Sequence, residues 1–257
     1  MQDAQQYEVV IGLEIHAQLA TNSKLFCGDS NEFGGDPNTR ISAISLGYPC
    51  TLPKTNKKAV ELAVKLGLAI GCTIEQYNFF ARKNYFYPDL PKGYQISQHT
   101  SPICKGGELI IETSTGKRAV KLNRIHLEED AGKSLHDQHP TQTYIDLNRA
   151  GTPLVEIVTE PNIYSAEEAG QFVSEIRKLV RWLGVSDGNM EEGNLSSSKP
   201  EATMPERISH LLCVKKKKQM IIAISPIPIW HLSLSVMNIW IQLKNQSQNC
   251  RMHYSSV

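Results

Sequence analysis

Between Tyr7 and Leu19, Ile11, Leu13, Ile15, Ala17 and Leu19 alternate with Gly12, Glu14, His16 and Gln18. That two-residue period is the pattern of a strand with apolar side chains on one face and polar ones on the other. Same-face neighbours on a pleated strand stand about 7 Å apart between α-carbons, so Glu14 and His16 lie side by side. A carboxylate beside an imidazole is good geometry for gripping a cation or steering a polar ligand. An ordinary solvated strand face would read the same way. Further candidates follow downstream: the acidic run Glu128-Glu129-Asp130, Glu156 in Leu-Val-Glu-Ile, and Asn148-Arg149 beside Gly151. Asn148 and Arg149 hold a phosphate or close a turn. Arg82, Lys83 and Lys92 are interleaved with Tyr85, Phe86, Tyr87 and Tyr94; they grip phosphates and stack bases, or they form a packed aromatic loop.

The elements that must position these groups are short strands and two helices. Lys57–Ile70 has the spacing of an amphipathic helix, stopped near Gly71. Leu109–Thr113 and Arg118–Leu122 flank a turn, and the second of these runs on into the acidic cluster. Tyr144–Leu147 and Leu154–Thr159 are two more strands. Ser165 and Glu168 make a capping box. Behind it Ala169, Phe172, Val173, Ile176, Leu179, Val180 and Leu183 recur at helical spacing, ended by Gly184.

The 257 residues are 40% hydrophobic and 21% charged, with a formal net charge of +1. The total hides a split. Residues 196–257 hold eight basic and two acidic side chains, a net of +6, which leaves residues 1–195 at −5. No global basic surface advertises nucleic acid, so an RNA contact must be local or shared with a partner. Six scattered Cys with no C-x-x-C suit reduced thiols in a cytoplasmic setting. The first residues, Met1–Gln6, carry no secretory signal pattern.

In order along the chain come Val10–His16, Arg82–Asp89, Tyr94–Gln98, His126–Lys133, Asp146–Arg149, Gly151–Leu154 and Met190–Gly193. On these runs residues 1–195 closely resemble the B subunit of the tRNA-dependent amidotransferase. The resemblance implies an α+β fold, a mostly antiparallel sheet with flanking helices, forming a cradle similar to the glutamine synthetase catalytic fold. It implies ATP-dependent amidation of Glu-tRNA(Gln), Asp-tRNA(Asn) or both. The aminoacyl side-chain carboxylate is phosphorylated, and ammonia from a partner A subunit (a glutaminase) displaces phosphate; a small C subunit completes a heterotrimer. A carboxylate is a poor electrophile until it gains a leaving group, and γ-phosphoryl transfer calls for a divalent metal. Mg²⁺ prefers oxygen ligands. The resemblance places Glu14, His16, Glu129 and Glu156 as catalytic and metal-holding residues, with Glu128 the alternative to Glu129. Arg82, Lys83, Asn148 and Arg149 are then candidates for ATP or tRNA contacts. Many relatives carry a Cys-x-Cys and a later Cys-x-x-Cys. Here Cys27, Asp29, Ser42 and Ser45 stand in those places, one thiolate cannot hold a structural zinc, and no zinc is expected. A non-catalytic tRNA-binding scaffold and an inactive fragment are the competing readings.

Beyond Leu195 the chain changes character: residues 196–257 contain no Gly, Asp or Phe, but ten Ser, eight Ile and the run Lys215–Lys218. Average Gly usage is about 7%. Gln219–Leu243 is apolar enough to raise a membrane span, but Pro226, Pro228 and His231 argue against one. Reading each codon's third base with the next codon's first two tests a shifted frame. Met220-Ile221 and Trp240-Ile241 then force Asp, Trp230-His231 forces Ala, and Met237-Asn238 forces Glu. Together with the permitted positions this yields a string that resembles a later part of the same family. Residues 196–257 are therefore expected to be an out-of-frame tail, disordered or loosely helical.

Overall fold

A computed structural model describes residues 8–188 and, beyond them, the strands Leu212–Lys216, Gln219–Ala223, Asn238–Asn245 and Gln248–Cys250. In chain order the elements are β1 (Glu8–Gln18), α1 (Lys57–Ala69), β2 (Thr73–Ile74), β3 (Ala81–Asn84), β4 (Tyr94–Ser97) and β5 (Cys104–Lys105). Next come β6 (Glu108–Thr113), β7 (Gly116–Glu129), β8 (Lys133–Leu135), β9 (Tyr144–Asp146), β10 (Pro153–Thr159) and α2 (Ala166–Trp182). The later strands are β11 (Leu212–Lys216), β12 (Gln219–Ala223), β13 (Asn238–Asn245) and β14 (Gln248–Cys250). The main sheet runs β14-β13-β1-β10-β7-β4-β3, and every pairing is antiparallel. This is the α+β architecture expected from the sequence.

The period of two in β1 decides which face is buried. Leu13, Ile15 and Ala17 join Ile125 and Leu127 of β7 and Val155 and Ile157 of β10 in one core. Both helices contribute their apolar stripes to it: Ala59, Leu62, Ala63 and Leu66 from α1, and Phe172, Val173, Ile176 and Val180 from α2. The opposite face of the same three strands is left for polar groups. Gly67 marks the closest approach of α1 to the sheet; a Cβ there would lie 2.4 Å from Cys104 Sγ, so only glycine fits.

Local signals set the helix ends. Asn56 caps α1 by accepting from Lys58 N at 2.9 Å, and Gly71 (φ +76) turns the chain out of it. Ser165 Oγ accepts from Glu168 N at 3.1 Å, and Glu168 Oε2 accepts from Tyr164 N at 2.8 Å. Glu168 Oε1 also meets Arg118 at 3.0 Å, which ties the start of α2 to β7.

Of the stretch 196–257, expected as disordered or loosely helical, the described residues are four strands. β13 pairs antiparallel with β1. The rest of that stretch lies outside the described residues, as does the Met190–Gly193 run. No helix among the described residues is long and apolar enough to cross a membrane.

Candidate functional site

Three strands in register build the site. His16 on β1 stands opposite Glu156 on β10, and Glu156 stands opposite His126 on β7. Two residues along, Gln18, Leu154 and Glu128 form the next row. All six side chains belong to the face turned away from the helices. His16 Nε2 lies 2.9 Å from Glu128 Oε1 and 3.3 Å from Glu156 Oε2. His126 Nε2 lies 3.2 Å from Glu156 Oε2 and 3.7 Å from Glu128 Oε2. Two carboxylates are thus held between two imidazoles. His16 is the outer member, with its side chain 12% exposed, and His126 is the inner one at 2%.

Burial and charge act against each other here. Burial alone would lower the pKa of His16, but hydrogen bonds and charge from Glu128 and Glu156 outweigh it and raise the value well above 6.5. The same balance raises His126. Burial would push the Glu128 carboxyl up; His126 and His16 pull it down to about 2. Glu156 is likewise held well below the usual carboxylate range against its burial, by His126 and His16.

One ligand atom each from His16, Glu128 and Glu156 can be chosen so that all lie within 4.8 Å of one another, the group among the described residues able to hold a metal ion. Two carboxylates and one imidazole suit a hard divalent cation such as Mg²⁺ or Mn²⁺, so the residues present fit the expected ion.

The expected residues are placed as follows. Of the four residues that the resemblance places together, His16 and Glu156 meet. Glu129 does not join them. Alternation on β7 turns it to the opposite face, where Lys92 Nζ lies 2.5 Å from its Oε1 and Ile96 N donates to the same oxygen at 3.0 Å. Glu128 takes the place in the cluster. Glu14 lies on the same face one row along, opposite Val158, with Arg124 beyond, and is outside the three-residue group. Asn148 and Arg149 close a loop. Asn148 Oδ1 accepts from Arg40 N at 2.9 Å and its Nδ2 donates to Asp36 O at 2.8 Å. Arg149 donates to Ala131 O (2.9 Å) and Gly132 O (2.7 Å) and meets Asp130 at 3.5 Å. Arg82 and Lys83 sit exposed on edge strand β3, with the Arg82 guanidinium 5.0 Å from the Tyr94 ring centroid. Sequence reasoning misses His126 as a site residue, although the alternation of His126 and Glu128 on one strand is a legible signal.

On the Glu129 side, Lys24, Cys27, Ser45, Lys92, Tyr94 and Glu129 line a cleft. The four positions compared above with a zinc site meet here. Ser45 Oγ donates to Asp29 Oδ2 at 2.5 Å, Ser42 N donates to the same oxygen at 2.9 Å, and Cys27 Sγ lies 3.4 Å from Ser45 Oγ. One thiol, one carboxylate and two hydroxyls do not fit structural zinc; Asp29 instead accepts from the Ser45 hydroxyl and the Ser42 N–H.

The profile of the GatB/GatE catalytic domain matches residues 9–198. The chain belongs to this family. It is similar to the B subunit of the aspartyl/glutamyl-tRNA(Asn/Gln) amidotransferase of Oleidesulfovibrio alaskensis, 56% identical over 189 residues, covering 74% of this chain and 40% of that protein. The Thermodesulfovibrio yellowstonii protein of the same name is 56% identical over 190 residues, and that of Chlorobium phaeobacteroides 55% over 189, with the same two coverages. This GatB/GatE chain therefore spans about 40% of the length of the curated relatives it matches.

Proposed function

We propose that this chain contributes the ATP-dependent half of a tRNA-dependent amidotransferase. The observation that carries the reading is the convergence of His16, Glu128 and Glu156 from three neighbouring strands, in a chain whose relatives are named as B subunits of the aspartyl/glutamyl-tRNA(Asn/Gln) amidotransferase. His16, Glu128 and Glu156 would hold Mg²⁺, which when bound offsets charge on a triphosphate and on the transition state of phosphoryl transfer. The side-chain carboxylate of a mischarged aminoacyl-tRNA takes the γ-phosphoryl group and ADP departs. Ammonia from a partner glutaminase (A) subunit then displaces phosphate, and a C subunit completes the complex. Burial of Glu128 and His126 keeps bulk water from the inner end of the site. Exposed Arg82 and Lys83, with Tyr85, Phe86 and Tyr87 beside them, offer cations and rings to the acceptor end of the tRNA. The cytoplasm is the compartment where these partners meet.

The test is Mg²⁺-dependent ATP turnover and amidation of mischarged tRNA, with residues 1–195 carried on a full-length B subunit assembled with its A and C partners. Glu128→Gln and Glu156→Gln are expected to lower turnover by roughly 100-fold, the upper range for disturbing the surroundings of a metal ligand. Rates equal to the unsubstituted complex would refute the reading.

A further inference from the structure

Glu128 divides its two oxygens between two sets of neighbours. Oε1 faces His16, 2.9 Å away. Oε2 accepts from Ser97 Oγ at 3.4 Å and lies 3.7 Å from His126 Nε2. Ser97 stands in register with Glu128 across the β4–β7 pairing and is 4% exposed. The His126 ring is 2% exposed, and its Nδ1 has no hydrogen-bond partner among the described residues. The ring therefore acts through Nε2 alone, toward Glu128 Oε2 and, at 3.2 Å, Glu156 Oε2.

We infer that Ser97 and His126 are positioning residues: Ser97 holds Glu128 by Oε2 and His126, through its one Nε2 hydrogen, holds Glu156 by Oε2, so that Glu128 Oε1 is presented, beside His16, to a divalent cation. This rests on the cation-site reading above. A glutamate side chain has several rotatable bonds, and ordering it on binding costs free energy. Donors fixed by the sheet do that ordering beforehand. Anchored carboxylates are the usual outer support of metal sites, and loss of such a donor typically weakens metal affinity about 10–100-fold. His126 also sits deeper than His16, so the ion's approach is from the His16 side and His126 stays behind the carboxylates.

The experiment uses the full chain and Mn²⁺ as probe, with free Mn²⁺ counted by its electron paramagnetic resonance signal and Mg²⁺ added as competitor. The unsubstituted chain is expected to bind Mn²⁺ at one site, and His16→Ala to remove that binding. His126→Leu is expected to weaken binding about 10–100-fold, with His126→Gln, which keeps an amide donor near the Nε2 position, recovering most of it. Ser97→Ala gives a smaller loss in the same direction. Pulsed resonance on bound Mn²⁺ should show one coordinated imidazole nitrogen. Unchanged or tighter binding in both His126→Leu and His126→Gln overturns the inference, as does a second coordinated nitrogen lost with His126→Gln. Failure of the unsubstituted chain to bind Mn²⁺ overturns the site reading itself, and the inference with it. If His126→Leu does not fold, His126→Ala takes its place: His126→Ala and Ser97→Ala both binding as the unsubstituted chain does overturns the inference.

Discussion

Replacing Lys92 by Met should destabilise the fold strongly at neutral pH and weakly in mild acid. Lys92 Nζ sits 2.5 Å from Glu129 Oε1, and the two side chains are only 9% and 2% exposed. Met keeps most of the apolar stem and removes the charge, leaving a buried carboxylate with the Ile96 N–H as its main support. Breaking a buried pair by removing one partner costs about 3–5 kcal/mol. Protonation limits that cost. Burial already holds the Glu129 carboxyl above its ordinary 4.5, against the pull of Lys92 and Ile96, and without Lys92 it rises further. A raised folded-state carboxyl pKa costs stability above that pKa, and the cost is relieved as pH falls toward the unfolded value. Taking up a proton at pH 7 costs about 3.4 kcal/mol, from 2.5 pH units at roughly 1.36 kcal/mol each above the ordinary 4.5. At pH 5 the same step costs about 0.7 kcal/mol. Lys92→Met should therefore lose about 3 kcal/mol at pH 7 and about 1 kcal/mol or less at pH 5. The assay is urea unfolding at both pH values with the slope checked for constancy. Lys92→Met combined with Glu129→Gln should show almost no such pH dependence. An equal penalty at the two pH values, or one below about 1 kcal/mol at pH 7, would refute the reasoning.

Three further outcomes follow from the structure. In metal-free buffer the raised pKa values of His16 and His126 give stability that is full below 6.5 and lost as pH rises through their folded values. The depressed values of Glu128 and Glu156 give stability that is present above 4.5 and lost as pH falls, for Glu128 toward about 2. The cluster's contribution is therefore largest between 4.5 and 6.5; urea midpoints that climb steadily from pH 7 to 9 would count against it. Asp29→Ala should lower stability by about 1–2 kcal/mol, because Ser45 Oγ and Ser42 N lose their shared acceptor. A zinc-selective chelator added with Mg²⁺ in excess should leave the melting temperature of the unsubstituted chain unchanged, and a fall of several degrees would reveal a metal staple at Cys27.

How far the sequence can be read depends on whether the signal is local. The alternation in β1, the Ser165–Glu168 box and the glycines at 71 and 184 are decided by neighbours within a few residues, and each marks an element boundary seen in the structure. The resemblance groups His16 with Glu156 in one site, and the register of β1 against β10 sets the two face to face. The choice between Glu128 and Glu129 turns on the register of β7 against β10, and a one-residue change of face exchanges an imidazole partner for a lysine. The roles of Asn148 and Arg149 stay open in the sequence for the same reason: their partners, Arg40, Asp36, Ala131 and Gly132, come from loops remote in the chain. The sequence by itself determined which residues carry charge, where the two helices and the strands β1, β6, β7, β9 and β10 lie, and which family the chain resembles. Only the tertiary structure decided which carboxylate meets which imidazole, because pairing across strands is set by register and burial summed over the whole sheet.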